Sequence, residues 1–377
     1  MEEWKLTKIG SLCKRVCSGG TPKSTIEEYF GGDIPWLNTK EVNFNRIYST
    51  ESTISDAGLN NSSAKWIDKH SVIVAMYGAT AAKCAIGMIP MTTNQACCNL
   101  MVDENLADYR FIYYALTNSY STLASLANGG AQQNLNAQLI KDFEIPLPDL
   151  HTQHRIADIL TSIDDKIENN NRINHNLEEQ ADGIVSSLLN VGTTVLRLSD
   201  ICKYVSQKID CQSLTLDNYI STENMVPSRG GVTKSSNVPT GTAIEYSSGD
   251  ILVSNIRPYF QKIWKATYSG GCSNDVLCFR SSTNSPSFLY HLLRQNSFFD
   301  HVMAGAKGSK MPRGDKAQIM NWTFVLSEDW EAMESKLSII DKKVALLRVQ
   351  NLMLIELRDS VLPRLMSGEL KINDLTC

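Results

Sequence analysis

The stretch HTQHRIADILTSIDDKIENNNRINHNLEEQADGIVSSLLN, residues 151–190, decides the fold. From position 156 to position 188 its apolar and amide residues alternate at spacings of four and three. This is the heptad pattern of a coiled-coil helix, about five heptads long. Pro146, Pro148 and Asp149 mark where the helix begins. The positions of this seam hold Ile156, Leu160, Ile163, Ile167, Asn170, Asn174, Leu177, Ala181, Ile184 and Leu188.

A second stretch near the end of the chain carries the same seam, displaced by 177 residues. Its positions hold Trp330, Met333, Leu337, Ile340, Val344, Leu347, Asn351, Leu354, Arg358, Val361 and Leu365. Because a two-position seam is narrower than the stripe of a helix that faces a globular core, we expect the two helices to pack against each other. Such a pair would form a rod of roughly 60 Å. The alternative is that each helix packs only on its own neighbouring domain.

Two asparagines occupy equivalent seam positions near the middle of the helices, Asn174 and Asn351. A twofold relation between the copies would make the helices antiparallel and would set the two amides opposite one another. A polar seam residue lowers stability but penalises shifted registers. We therefore predict that this pair fixes the register, a hypothesis that fails if the side chains lie more than one heptad layer apart.

The residues before each helix also repeat, so the chain is a duplicated domain plus helix and not a solenoid. LCKRV at 12–16 matches ICKYV at 201–205 with an offset of 189. FIYYAL at 111–116 matches FLYHLL at 288–293 with an offset of 177. The offset falls because the second copy lacks the extra loop that the first copy carries within residues 19–36.

The predicted fold is α/β: two globular α/β domains separated by two long helices that form an antiparallel coiled coil, with a pseudo-twofold internal repeat. Each copy begins with short apolar runs broken by Gly, Asn and Ser, which indicate several strands. One short helix should follow, near 107–126 in the first copy and 286–303 in the second. The predicted boundaries are 1–150 for the first domain, 151–190 for the first helix, 191–327 for the second domain, and 328–377 for the second helix with a tail.

Composition favours an ordered protein, with 42% hydrophobic residues and no run of eighteen apolar residues. No targeting segment is visible, so we expect a soluble, cytoplasmic protein without a membrane partner. The ten cysteines lack a CxxC spacing and nearby histidine pairs, so we expect free thiols and no bound metal. A net charge of −4 does not favour binding to the anionic backbone of DNA, but residues 191–327 hold 14 basic against 9 acidic residues.

Three motifs carry a family resemblance. FEIPLPDL at 143–150 resembles the junction between a recognition domain and a conserved helix in the DNA specificity subunits of type I restriction-modification systems. GGTPK at 19–23 with GDIPWL at 32–37 resembles the early loop and strand of that family, and LPRLMSGEL at 362–370 resembles its C-terminal ending. The resemblance covers essentially the whole chain and respects the duplication.

The resemblance implies that each domain reads one half of a split target in double-stranded DNA, while the paired helices set the unread spacer. It implies two modification subunits that dock on the helices and methylate adenine with S-adenosylmethionine, and restriction subunits that use ATP and Mg²⁺. It implies no catalytic site and no cofactor in this chain. The second copy departs from the family pattern, with WTFVLSE at 322–328 and no GGTPK-like loop. Early-loop contacts are therefore assigned to the first domain alone.

Loops that follow the predicted strands supply the candidate DNA contacts. The loop at 128–136 offers amides suited to adenine edges, whereas its counterpart at 305–313 offers cations suited to phosphate or guanine, so we expect two different half-sites. Each candidate can also be a solvated loop residue. The candidates are Lys23, Lys40, Tyr77, Gln132, Gln133 and Asn134 in the first domain, and Arg257, Tyr259, Lys307, Lys310 and Arg313 in the second.

Catalytic motifs are absent: there is no GxGxxG, P-loop or Asn-Pro-Pro-aromatic motif. Pro148-Asp149 with Asp164-Asp165-Lys166 matches the letters of a PD...(D/E)xK nuclease, but the second part falls on the heptad helix, where solvated charges are the simpler interpretation. We therefore predict no enzyme activity in this chain. Two other functions stay open: a tandem protein-interaction scaffold without DNA binding, and the recognition part of another multi-subunit DNA methyltransferase system.

Overall fold

The computed structural model describes residues 4–128 and 135–370 of the chain. The chain forms two compact units, the first comprising Met1–Ile167 with Leu352–Cys377 and the second Glu168–Asn351. Each of the two long helices therefore contributes one segment to each unit.

Short strands alternate with short helices in the first domain before the chain enters the first long helix. The strands are β1 (Lys5–Lys8), β2 (Cys13–Ser18), β3 (Phe30–Leu37), β4 (Asn45–Ile47), β5 (Ser52–Ile54), β6 (Trp66–Ile67), β7 (Val72–Ala75), β8 (Cys84–Gly87), β9 (Met91–Thr93), β10 (Cys97–Val102) and β11 (Glu144–Leu147). The helices are α1 (Asp56–Asn60), α2 (Tyr109–Asn118), α3 (Tyr120–Asn128), α4 (Ala137–Asp142) and the long α5 (Leu150–Asn190).

The second domain follows a similar order of elements. Its strands are β12 (Thr194–Arg197), β13 (Cys202–Tyr204), β14 (Lys208–Asp210), β15 (Tyr219–Ile220), β16 (Thr242–Tyr246), β17 (Ile251–Ser254), β18 (Ile263–Lys265), β19 (Gly270–Cys272), β20 (Val276–Ser281) and β21 (Thr323–Leu326). Its helices are α6 (Leu198–Ile201), α7 (Pro286–Leu293), α8 (Asn296–Ala304), α9 (Lys316–Met320) and the long α10 (Glu334–Met366).

Strand order shows the predicted duplication directly. The order β13-β20-β17-β18 repeats the order β2-β10-β7-β8, and the pair β12-β21 repeats the pair β1-β11. β7 and β10 are buried along their whole length, which explains why β7 is a continuous apolar run and β10 is apolar except for Asn99. The remaining sheets differ, since β3 runs parallel to β9 whereas β16 runs antiparallel to β19. The copies thus diverge in the early part, where the second is shorter.

The prediction of one short helix in each copy is wrong, because the structure has two. In the first copy the break falls at Ser119, between α2 and α3, and in the second it falls at Arg294 and Gln295, between α7 and α8. Asn118 and Ser119 have side chains that compete with helical hydrogen bonds, which favours a helix end there. The apolar spacing continues across both breaks, so periodicity alone does not reveal them.

The two long helices pack on each other, as the heptads predict. Every predicted seam position on α5 and α10 is buried or half-buried. In the second unit, Asn170 contacts Asn351 and Glu178 pairs with Arg348, so residue numbers rise along α5 as they fall along α10. The helices are therefore antiparallel there. The alternative of helices that pack only on their own domain is wrong.

The helices also bury part of their surface against the domains. In the first unit, Ile156 and Leu160 of α5 share one apolar core with Leu365 of α10 and with Phe111 of α2. In the second unit, Val185 of α5 lies in a core with residues of α7 and α10. The heptad seam therefore predicts the contact between the two helices, but not the contacts that each helix makes with the domains.

Asn174 and Asn351 do not hydrogen-bond to each other, as the prediction had them do, because they are offset by one seam layer. This offset lies within the limit of one heptad layer set for the register hypothesis. Asn170 Nδ2 donates to Asn351 Oδ1 at 2.8 Å, and Asn351 Nδ2 donates to Asn171 Oδ1 at 2.8 Å. Because the helices are antiparallel, a step of four residues along α5 places Asn174 opposite Leu347. Asn174 is buried and its Oδ1 accepts no hydrogen bond, which is the cost of a polar residue that faces an apolar one. The amide pair exists, and Asn170 is its member on α5.

A buried group of charges links the helices to α7 in the second unit. His291 is fully buried, with Nδ1 2.7 Å from Asp182 Oδ1 and Nε2 3.0 Å from Asp341 Oδ1. Arg294 Nε donates to Asp182 at 2.9 Å, and Lys265 pairs with Asp341. Burial opposes the charged imidazole, but the hydrogen bonds to the two carboxylates outweigh it and raise the pKa of His291. These five residues are called the charge clasp below.

In the first unit, different residues make the equivalent contact between the domain and the long helices. Tyr114, at the position equivalent to His291, donates its hydroxyl to Asp164 Oδ2 at 2.6 Å. Asp164 also accepts from Arg358 Nη1 at 3.0 Å and is half-buried. The interpretation of Asp164 as a solvated helix charge is therefore wrong. No cluster of three or more His, Cys, Asp or Glu side chains that could hold a metal ion occurs in residues 4–128 and 135–370.

The cysteines in the described part of the chain are free thiols, as expected, and most of them are buried. Burial raises the pKa of Cys84 and of Cys202 to about 12, so both thiols stay protonated near neutral pH. Among the described helices, none is both long enough and apolar enough to cross a bilayer.

Candidate nucleic-acid interface

In the first domain, several predicted contacts lie around the turn between β7 and β8, at residues 76–83. Tyr77 is half-buried and donates its hydroxyl to the carbonyl oxygen of Gln95 at 3.2 Å. Thr21 hydrogen-bonds to the side chain of the same glutamine, and Lys23 is exposed two residues further along. Gln95 thus joins Tyr77 to the loop that carries Lys23.

Lys40 lies beside the same turn, because Thr80 Oγ1 donates to the carbonyl oxygen of Thr39 at 2.9 Å. Its ammonium is exposed and lies 2.5 Å from the Glu51 carboxylate. The hydrogen bond to Glu51 raises the pKa of Lys40 and offsets part of its charge. An exposed ion pair of this kind contributes little to stability, so a phosphate can displace Glu51. The role of Lys40 stays a prediction.

Gln132, Gln133 and Asn134 lie outside the residues that the structure describes. Leu135, the next described residue, donates its backbone N–H to the carbonyl oxygen of Met76 at 3.0 Å. Leu135 therefore lies beside the β7–β8 turn. The contacts of the three amides stay predictions.

In the second domain, the turn between β17 and β18 meets the loop at 305–314. Lys307 and Arg313 exchange both of their backbone hydrogen bonds at 2.9 Å, which closes that loop into a hairpin with Lys310 between them. Arg257 donates its backbone N–H to the carbonyl oxygen of Pro312 at 2.8 Å. The structure therefore brings all four predicted cations onto two adjoining turns.

The charges of this cluster are only weakly neutralised. Lys307 lies 3.3 Å from Asp315 and Arg313 lies 3.2 Å from Asp275, and both cations are exposed. Exposed pairs of this kind contribute little, so both cations can still bind a phosphate. Within residues 4–128 and 135–370, Arg257 and Lys310 form no ion pair.

Three residues near this cluster were not among the contacts predicted from the sequence: Arg229, Phe260 and Lys262. Lys262 donates to the carbonyl oxygen of Thr222 at 2.6 Å, and burial followed by the charge of Arg257 lowers its pKa. Arg229 donates its backbone N–H to the carbonyl oxygen of Gln261 on the same turn at 3.0 Å. The run RPYFQK at 257–262 was a usable signal for two of them, because most residues of a tight turn reach the surface, and here only Pro258 is buried. Nothing in the sequence placed Arg229 there.

Gln95 was missed in the first domain for a similar reason. It lies in the short connection between β9 and β10, two strands buried along their whole length. The two strands belong to different sheets, so Gln95 lies where the chain passes from one sheet to the other, and its side chain is exposed there. The sequence did not show which neighbouring turn it would meet.

The family model described as type I restriction modification DNA specificity domain matches residues 1–179. The chain is 24% identical to the type I restriction enzyme MjaIX specificity subunit of Methanocaldococcus jannaschii, over 99% of this chain and 95% of that protein. It is 30% identical to the type I restriction enzyme EcoR124I/EcoR124II specificity subunit of Escherichia coli, over 43% of this chain and 41% of that protein.

A solved structure is similar to the whole chain. The type I restriction-modification S subunit from M. genitalium matches with a TM-score of 0.57 and 17% identity, covering 96% of each chain. At this level of identity the likeness concerns the fold alone.

Proposed function

This chain belongs to the family of type I restriction-modification DNA specificity subunits, and from that premise we propose that it reads a split target in double-stranded DNA, one half-site with each domain. One observation supports a target in two different halves. The β7–β8 and β17–β18 turns occupy the same place in the same strand order, but their side chains differ in chemistry. The first presents Tyr77, and Leu135, which follows the amide run in the sequence, hydrogen-bonds to Met76 on the same turn. The second presents Arg257 beside a cationic loop.

The chemistry of the two turns suits base and phosphate contacts. Arginine and lysine bind phosphates and the acceptor edge of guanine, whereas asparagine and glutamine suit adenine. The second domain is also the segment with an excess of basic residues. In this proposal the helices set the unread spacer between the half-sites.

Binding that depends on both half-sites tests the proposal. The target is first identified by sequencing methylated adenines in the source genome, and the chain is then assembled with its modification subunits for gel-shift competition. Each mismatched base pair in either half should weaken binding by roughly 5- to 150-fold, the range of a specific contact. Equal retention of a duplex with one scrambled half-site would refute the split target. Failure to retain any duplex would instead support the protein scaffold.

We assign recognition to this chain and chemistry to its partners. Modification subunits would transfer methyl groups from S-adenosylmethionine, and restriction subunits would use ATP and Mg²⁺. The support is an apolar face on α10, where Ile339, Leu346 and Val349 are 69%, 61% and 48% exposed. Their spacings of seven and three residues place them on one side of the helix, away from the seam. An exposed apolar face of this kind marks a protein contact, and modification subunits are the proposed occupants.

Replacing Lys310 and Arg313 by alanine should weaken DNA binding about equally for all sequences. If each cation neutralises one phosphate, the slope of log K against log salt should fall by about 0.9 for each substitution. The measurement is a salt titration of the assembled complex on its target. Lys203→Ala is the control, because Lys203 lies opposite Arg280 at the end of β20 that is remote from the β17–β18 turn. An unchanged slope in the Lys310 and Arg313 variants would remove both residues from the interface.

A further inference from the structure

The β17–β18 turn carries two exposed aromatic rings. Tyr259 is 51% exposed and Phe260 is 37% exposed. Their ring centroids lie 4.7 Å apart with a tilt of 54°, so the rings form one apolar surface. Both follow Pro258 in a single tight helical turn. A pair of large rings on a turn that otherwise carries polar and charged side chains requires an explanation beyond solubility.

The backbone on both sides of the rings is strained. Arg257 and Gln261 both have a φ of 50°, in the left-handed region that residues with a side chain rarely adopt. The segment that packs against this turn has the same feature, at Ser228 with φ 54° and Arg229 with φ 62°. Backbone strain of this kind persists only where the surrounding fold enforces it, and it is frequent at functional sites.

Hydrogen bonds from two neighbouring segments hold the turn in place. Ser228 donates its N–H to the carbonyl oxygen of Phe260 at 2.8 Å, and Arg229 donates to that of Gln261 at 3.0 Å. On the other side, Arg257 donates its N–H to the carbonyl oxygen of Pro312. The rings therefore project from a turn that backbone hydrogen bonds hold on both sides.

Two cations lie close to the rings. Lys262 Nζ lies 5.9 Å from the centroid of the Phe260 ring, and Arg257 is exposed at the start of the turn. An occupant must therefore combine negative charge with flat apolar surfaces. Nucleic acid does so, because its phosphates are anionic and its bases stack on aromatic side chains.

Within the described residues, the β7–β8 turn of the first domain carries no equivalent pair of exposed rings. This turn reads YGATAAK at 77–83, and the one aromatic residue there, Tyr77, is half-buried and hydrogen-bonded to Gln95. Beside that turn, Phe44 and Tyr120 form a ring pair with centroids 5.2 Å apart, and Lys83 Nζ lies 5.9 Å from the Phe44 ring, but Phe44 is half-buried. The exposed pair therefore predicts unstacking in the half of the target bound by the second domain.

We propose that Tyr259 and Phe260 insert at a base step of the half-site bound by the second domain and partly unstack it. This inference rests on the proposed function, because it requires that the domain bind duplex DNA. The braced turn keeps the rings in position, and the nearby cations bind the phosphates that flank the step. The two inserted rings are called the wedge below. Flexible pyrimidine–purine steps are the easiest to unstack, so the wedge also favours TA or CA/TG at that position.

Local unstacking is measured with 2-aminopurine placed at successive steps of each half-site in the assembled complex. The adenine that is methylated stays unlabelled, so that any movement of that base does not contribute. We expect a fluorescence increase at one step of one half-site only. In the double variant Tyr259→Ala, Phe260→Ala the increase should disappear and affinity should fall by about 5- to 150-fold. Phe260→Leu should retain part of the signal.

Tyr268→Ala is the matched control and should leave the signal unchanged, because Tyr268 is 39% exposed and follows β18 at the end remote from the β17–β18 turn. If bound duplex shows no increase at any labelled step, or if the double variant keeps the increase, the wedge is refuted while DNA recognition stands. A complex that binds neither half-site refutes the proposed function itself. A double variant that unfolds like the parent chain but no longer assembles with modification subunits assigns the rings to a protein contact, which also overturns the wedge.

Discussion

Asp182→Ala destabilises the second unit by about 3–5 kcal/mol, which is the expected result of removing one member of a buried ion pair. Asp182 is the carboxylate shared by His291 and Arg294, whose side chains are 0% and 5% exposed. Without it, both cations remain buried with less compensation. Urea or thermal unfolding of the full chain measures the loss.

Asp359→Ala is the control, because residue 359 is the position equivalent to 182 and its side chain is 59% exposed. An exposed pair contributes about 1 kcal/mol or less, so this variant should unfold almost like the parent chain. Equal losses in the two variants would contradict the role of the charge clasp.

The pH dependence of this loss has a definite direction. The raised pKa of His291 means that its stabilisation is complete below its ordinary value of 6.5 and is lost as pH rises through the folded value. The lowered pKa values of Asp182 and Asp341 mean that theirs is present above 3.8 and is lost as pH falls through the folded values. The difference between parent and Asp182→Ala should therefore be largest between these limits.

Leu346→Asp should weaken the binding of modification subunits by about 30-fold or more, as loss of an interface hot spot does. The substitution places a carboxylate at the centre of the apolar face that Ile339 and Val349 complete. Because Leu346 is 61% exposed, the helix itself should fold normally. Sedimentation or surface binding of the mixed subunits measures the affinity.

Leu6→Asp provides the comparison, since Leu6 is 60% exposed on β1. It should leave assembly unchanged. If both variants assemble equally well, the apolar face of α10 is not the docking site.

The sequence predicted the features that periodicity and repetition control. The heptad seam identified both long helices, and the internal repeat predicted a duplicated strand order. The sequence also selected Arg257 and Arg313 as candidate contacts, each from its own loop. Each of these depends on local pattern, which the chain shows directly.

Two kinds of feature were not predictable from local pattern: the axial offset between the paired helices, and the burial of a residue by a neighbouring element. A seam shows which face of a helix meets its partner, but the level at which two helices meet is a separate quantity, so Asn170 was missed as the partner of Asn351. Asp164 falls beside the seam, and only the packing of α2 shows that it is covered. The exposed rings of the second domain depend on left-handed backbone at Arg257 and Gln261, which these residue types do not predict.

The charge clasp also constrains how such chains can recombine. His291 belongs to the recognition domain, whereas Asp182 and Asp341 belong to the helices, and the first half uses Tyr114 with Asp164 at the equivalent positions. A chimaera that exchanged a domain without its anchoring helical residues would leave a buried histidine or tyrosine facing an unsuited partner. Inheritance of a new target specificity is therefore easiest when the crossover points fall inside the helices, so that each module keeps its own acidic anchor.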